Sequence, residues 1–143
     1  MDILLKPFIT CVKSYVRNDL DFLSRIPENV NENCTLTTFD VVSLYSNIPH
    51  DLGFEAIEYW IDTHPDKLHN RFGKQFVLDS LKLILNNNSF QFDNLNFKLN
   101  LGCPMGSKCS PNYAILVLGY LETKLYAKLE NLKGIDFRIL CRK

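Results

Sequence analysis

The sequence predicts an α+β fold in which an antiparallel sheet packs on helices. Three observations carry that expectation. Residues 36–44 form a run rich in Thr, Val and Phe with no Gly or Pro, the composition of a mostly buried strand. Residues 90–99 alternate apolar and polar side chains about Asp93-Asn94, a hairpin pattern. Longer stretches repeat apolar residues at helical spacing. The 143 residues are 46% hydrophobic and 12% aromatic, enough to bury a core and too apolar for a disordered segment.

Each element has its own reason. Asp19-Leu-Asp-Phe-Leu23 reads as a short helix capped by Asn18, after apolar clusters broken by Pro7 and ahead of Pro27. Residues 29–33 are polar and loop-like. Ile48-Pro49-His50-Asp51 opens a helix, with Asp51 and Glu55 where the N-terminal dipole favours anions. Phe54, Ile57 and Ile61 share one face of it, and Pro65 ends it. A helix over about 74–87 carries a stripe of Val77, Leu81, Ile84 and Leu85. Ser110-Pro111 combines a capping hydroxyl with a proline at the first helical position. Ala114, Leu118, Leu121, Leu125 and Leu129 then trace one helical face, with Leu118, Leu121 and Leu125 expected to pack beneath the sheet. Gly134 interrupts, and residues 135–141 read as a last strand.

Composition narrows the setting. No apolar run is long enough to span a bilayer, and Met1-Asp2-Ile3 does not open a signal peptide. Five cysteines without a Cys-x-x-Cys pair read as reduced thiols in an intracellular protein, nuclear or cytoplasmic. The formal net charge is zero, but residues 100–143 hold seven Lys or Arg against three Asp or Glu, so the C-terminal end is basic and the remainder acidic. Such an end suits phosphates, although a solvated helix surface plus a basic tail explains the same charges.

Two segments carry candidate chemistry. The first is Thr38-Phe-Asp-Val-Val-Ser-Leu-Tyr-Ser-Asn-Ile-Pro-His50, with one acid, Asp40, and an aromatic, Tyr45, five positions later. A strand-end carboxylate can hold a hard divalent ion, though an Asp there is more often a turn or cap residue. Tyr45 is equally readable as a half-buried strand residue. The second segment is Gly102-Cys-Pro-Met-Gly-Ser-Lys-Cys-Ser-Pro111, a glycine-punctuated loop entering a helix. Gly106 would let the backbone approach a ligand where a Cβ would collide.

Together these segments resemble two sequence blocks of the reverse transcriptase palm. Phe39–His50, the stretch Asn112-Tyr-Ala-Ile-Leu-Val-Leu-Gly-Tyr-Leu-Glu122 and Ser14–Leu23 are similar to Penelope-like retroelement enzymes in particular. The resemblance covers roughly residues 3 to 130 and implies a partial palm with remnants of fingers. Residues 1–35 would be the fingers and palm lead-in, 36–130 the palm with both blocks, and 131–143 a truncated tail. It implies a fragment of an RNA-directed DNA polymerase, with Asp40 as the catalytic aspartate and the metal held at Asp40 and Val41. Ser43, Leu44, Tyr45, Met105 and Gly106 would contact the nucleotide. Tyr45 would lie under the sugar and exclude a 2′-hydroxyl, and the backbone around Ser43 and Leu44 would face the triphosphate. The implied partners are an RNA template, a DNA primer and a deoxynucleoside triphosphate, with two Mg²⁺ ions. Met105 stands where many retroviral enzymes have Gln. The Asp-Asp turn of the family does not occur in the chain, so the expectation is of an incomplete metal site and no activity in isolation. The alternative is a non-catalytic module that keeps the palm scaffold and binds nucleic acid or protein.

Overall fold

A long helix with apolar residues on more than one side needs neighbours on each side, and that requirement organises this chain. The computed structural model describes residues 1–30, 32, 33, 35 and 37–129. Its elements in order are α1 (Asp2–Ile9), α2 (Asp19–Leu23), α3 (Leu44–Asn47), α4 (His50–Thr63), a 3-10 turn at Pro65–Lys67, α5 (Lys74–Asn86), β1 (Ser89–Phe92), β2 (Leu95–Lys98) and α6 (Ser110–Leu129). Helix α6 packs against α1 and α4, and α5 also packs against α4.

The core forms where these helices meet. Leu5 and Phe8 of α1, Ile57 and Trp60 of α4, and Leu116 and Val117 of α6 are all buried. From α5, Val77, Leu81 and Leu85 join them, while Ile84 is half-buried. Trp60 also donates its indole N–H to the Leu116 carbonyl at 2.8 Å, so burial leaves no donor without a partner there. Local signals place several boundaries as expected. The Asn18 side chain accepts the Asp21 amide at 2.9 Å, capping α2. Helix α4 begins directly after Pro49 and stops before Pro65. Asp93 and Asn94 both take positive φ, at 49° and 58°, and close the β1–β2 hairpin.

Three expectations are corrected. Residues 37–41 form no regular element, residues 42–43 form a turn, and Leu44 already belongs to α3; the strand expected over 36–44 is absent from the described part of that span. A strand needs a ladder partner. Among the described residues the two strands pair only with each other, so this β-prone run stays open, with Phe39 86% and Val42 79% exposed.

The second correction concerns α6. Its core-facing side is Tyr113, Leu116, Val117 and Tyr120 rather than the expected leucine stripe. The larger aromatic side chains fill the space against α1 and α4, which leaves Leu118 half-buried, Leu121 39% exposed and Leu125 41% exposed. The third concerns the sheet. The α+β description holds in that a two-stranded antiparallel sheet accompanies the helices, but every residue of β1 and β2 is exposed and the sheet covers no helix. The register pairs Phe90 with Phe97 and Phe92 with Leu95, so four apolar side chains share one open face. The last strand expected at 135–141 lies outside the described residues.

Candidate functional site

The two sequence segments meet through their main chains. The Gly102 N–H donates to the Ile48 carbonyl at 2.9 Å, and the Cys103 N–H donates to the Tyr45 carbonyl at 2.7 Å. The His50 imidazole Nε2 lies 2.8 Å from the Gly102 carbonyl, completing the junction. Sequence dictates the approach. Gly102 has φ of 79°, and a Cβ there would stand 2.3 Å from the Tyr45 carbonyl oxygen and 2.6 Å from Ser46 Cα. Only glycine permits backbone to lie this close to backbone.

Behind the junction the loop is closed on itself. The buried Ser110 hydroxyl donates to the Pro104 carbonyl at 2.6 Å, so it braces the loop instead of capping its own helix. Further turns link Ser107 N–H to Pro104 at 3.3 Å and Ser110 N–H to Ser107 at 3.1 Å. Cys103 and Cys109 are both buried, and burial pushes the Cys103 thiol above its usual pKa. Tyr113 is also buried, and its phenol titrates well above the ordinary range because burial disfavours the charged form. Among the described residues its hydroxyl has no hydrogen-bond partner. It lies directly over Gly53, where a Cβ would fall 1.6 Å from the oxygen.

The individual candidate residues divide between rim and frame. Asp40 and Val41 are exposed and belong to no regular element. Ser43 takes the left-handed conformation at φ 52°, and its carbonyl accepts both the amide and the hydroxyl of Ser46. Leu44 and Tyr45 are half-buried against the core, so Tyr45 is fixed at its backbone and on part of its ring. Met105 and Gly106 are exposed, with φ of 98° at Gly106 and open space around it. Lys108 shares this exposed rim.

A divalent ion such as Mg²⁺ takes several oxygens in near-octahedral geometry. Asp40 offers one carboxylate, and among the described residues no three His, Cys, Asp or Glu side chains gather into a group that could hold a metal. Among the described residues, Asp40 is thus the one carboxylate that the candidate segments bring to such a site. Sequence reasoning gave no role to His50, Cys103 or Tyr113. His50 is half-buried at the helix start, and its contact with Gly102 spans 52 residues, a relation that no local pattern encodes.

The basic end is partly neutralised. Lys124 bonds Glu55 at 2.9 Å and lies 4.3 Å from the Tyr120 ring centroid, so it is tied into the α4–α6 interface. Among the described residues no helix is long and apolar enough to cross a membrane. Comparison with protein-family models, with curated proteins and with solved structures finds no match for this chain.

Proposed function

We propose that this chain is a palm-type portion of an RNA-directed DNA polymerase of a retrotransposable element, similar to Penelope-like reverse transcriptases. The observation that supports the reading best is the junction of Tyr45, Ile48 and His50 with Gly102 and Cys103. Two segments that resemble separate blocks of one nucleotide site, and that lie more than fifty residues apart, share a backbone seam. In this reading Tyr45 limits the sugar, the turn at Ser43 and Leu44 faces phosphate, and Met105 and Gly106 meet the base or template. Asp40, with the backbone at Val41, would be one ligand of a Mg²⁺ pair. RNA template, DNA primer and deoxynucleoside triphosphate would be the partners. One carboxylate is too few for two-ion chemistry, so the chain alone is expected to extend no primer.

Photo-crosslinking of a radiolabelled deoxynucleoside triphosphate tests this. Label should fall on peptides spanning 38–50 or 102–111 and be lost in Gly102→Ala. Label confined to other peptides, or unchanged in that variant, overturns the site. Template-directed extension by the purified chain would overturn the claim of inactivity.

A second reading is favoured by the open apolar face of the hairpin: a non-catalytic module that keeps the scaffold and binds nucleic acid or a protein partner. Retention of an RNA–DNA hybrid without any nucleotide labelling would select it.

A further inference from the structure

The Gly102–Cys103 peptide is bonded at both of its polar ends to the segment opposite. Its N–H, on Cys103, donates to the Tyr45 carbonyl at 2.7 Å, and its carbonyl, on Gly102, lies 2.8 Å from His50 Nε2. We propose that His50 is a positioning residue. Its ring locks this peptide plane against flipping and so sets where the rim at Met105 and Gly106 stands relative to the turn at Ser43 to Tyr45. The lock follows from the hydrogen bonds alone; its service to a nucleotide rests on the polymerase reading above.

Glycine makes the lock necessary. At φ of 79° Gly102 comes close to the Tyr45–Ser46 backbone, but the missing side chain that permits this also permits other orientations of the next peptide. A half-turn of that plane would point the Cys103 N–H away from Tyr45 and the Gly102 carbonyl away from His50. The two bonds therefore stand or fall together. Of the three bonds that join the segments, those to Ile48 and Tyr45 run backbone to backbone, and the third alone depends on a particular side chain. His50 is well placed to supply it, since it is half-buried and opens α4 directly after Pro49, whose ring fixes φ. A carbonyl oxygen can only accept, so Nε2 carries the proton and donates it. Little else steers the rim. Met105 is 78% exposed and Gly106 faces open space, while the bonds from Ser107 and Ser110 to Pro104 shape the loop without tying it to the turn.

Amide exchange read by NMR on the full chain tests the lock. His50→Phe keeps a ring and loses the donor, and should speed exchange of the Cys103 amide about tenfold or more, with amides in the middle of α5 and α6 unchanged. His50→Gln restores a donor and should hold that rate within about threefold of the parent. An unchanged Cys103 rate in His50→Phe, acceleration spread equally over the helices, or no rescue by His50→Gln overturns the proposal. Should His50→Phe fail to fold, the ring nitrogens of the unsubstituted chain decide. Their nitrogen shifts should show a proton on Nε2, and a proton on Nδ1 alone overturns the lock. Crosslinking of a radiolabelled deoxynucleoside triphosphate separates the lock from the reading it serves. Label on peptides spanning 102–111 should fall severalfold in His50→Phe and return in His50→Gln. Equal label in all three chains overturns the positioning role. No label in any of them overturns the polymerase reading, and the exchange rates alone then judge the lock.

Discussion

The amide of Cys103 donates to the carbonyl of Tyr45 across 2.7 Å, although 58 residues separate them in sequence. The contact exists because Gly102, one residue earlier, presents no side chain toward the Tyr45–Ser46 backbone. Loop and turn thereby become one rigid edge.

Gly102→Ala should break this edge. The new Cβ would meet backbone that cannot move aside, and φ of 79° already disfavours any L side chain. A loss of about 2–4 kcal/mol in chemical denaturation is expected, combining strain and lost hydrogen bonds. Gly106→Ala faces open space and carries only the conformational cost of its φ of 98°, about 1 kcal/mol. Equal losses at the two positions would refute the close approach.

Tyr113 and Gly53 form a coupled pair. Tyr113→Phe removes a buried hydroxyl that has no partner among the described residues, so it should be neutral or stabilising by up to about 1 kcal/mol. Gly53→Ala drives a methyl into the ring and hydroxyl and should cost about 1–3 kcal/mol. Because the ring carbon Cζ is also within 2.5 Å of that methyl position, Tyr113→Phe should rescue Gly53→Ala only partly. Thermal unfolding of the four proteins in the cycle reads this directly.

Acid sensitivity should include a contribution from Glu55. The Tyr120 hydroxyl, and after it the Lys124 ammonium, hold its carboxyl below the ordinary value of 4.5. A carboxylate whose folded-state pKa is depressed stabilises the fold above its unfolded value and loses that contribution as pH falls through the folded one. Stability should therefore drop more steeply below about pH 4.5 in the parent than in Glu55→Gln, with the two curves parallel at neutral pH. Parallel curves throughout the acid range would remove Glu55 from the account.

The open hairpin face should govern solubility. Phe90, Phe92, Leu95 and Phe97 lie exposed on one side of a two-stranded ribbon that no further strand joins among the described residues. Replacing Phe92 and Leu95 by Thr and Lys should reduce light scattering at high concentration while leaving the unfolding midpoint nearly unchanged, since neither side chain packs in the core. A large fall in the midpoint would mean that the face is already covered.

Local chemistry made much of the fold legible. Asn18, Pro49, Pro65 and the Asp93-Asn94 pair act over a few residues, and each marks its boundary as the sequence implies. The errors occur where the outcome depends on a distant neighbour. Residues 37–43 have strand composition, but composition does not supply a ladder partner. In α6 two apolar sides were written into one helix, and only packing against α1 and α4 chooses between them. Of the candidate site, the glycine at 102 was visible as a motif residue, yet its contact with the Tyr45 backbone is tertiary. So is the bond from His50, which a list of acids and aromatics passes over.

Trp60 has a practical consequence for anyone handling the protein. It is the chain's single tryptophan, buried at the meeting of α4 and α6, with Tyr59 set edge-on at 5.2 Å and His64 stacked at 5.8 Å. Its emission therefore arises from one site and needs no label. A shift toward the red will signal that α4 has separated from α6, while loosening confined to the hairpin will pass unseen. The molecule carries its own optical gauge for the seam between these two helices, and it is blind to the rest.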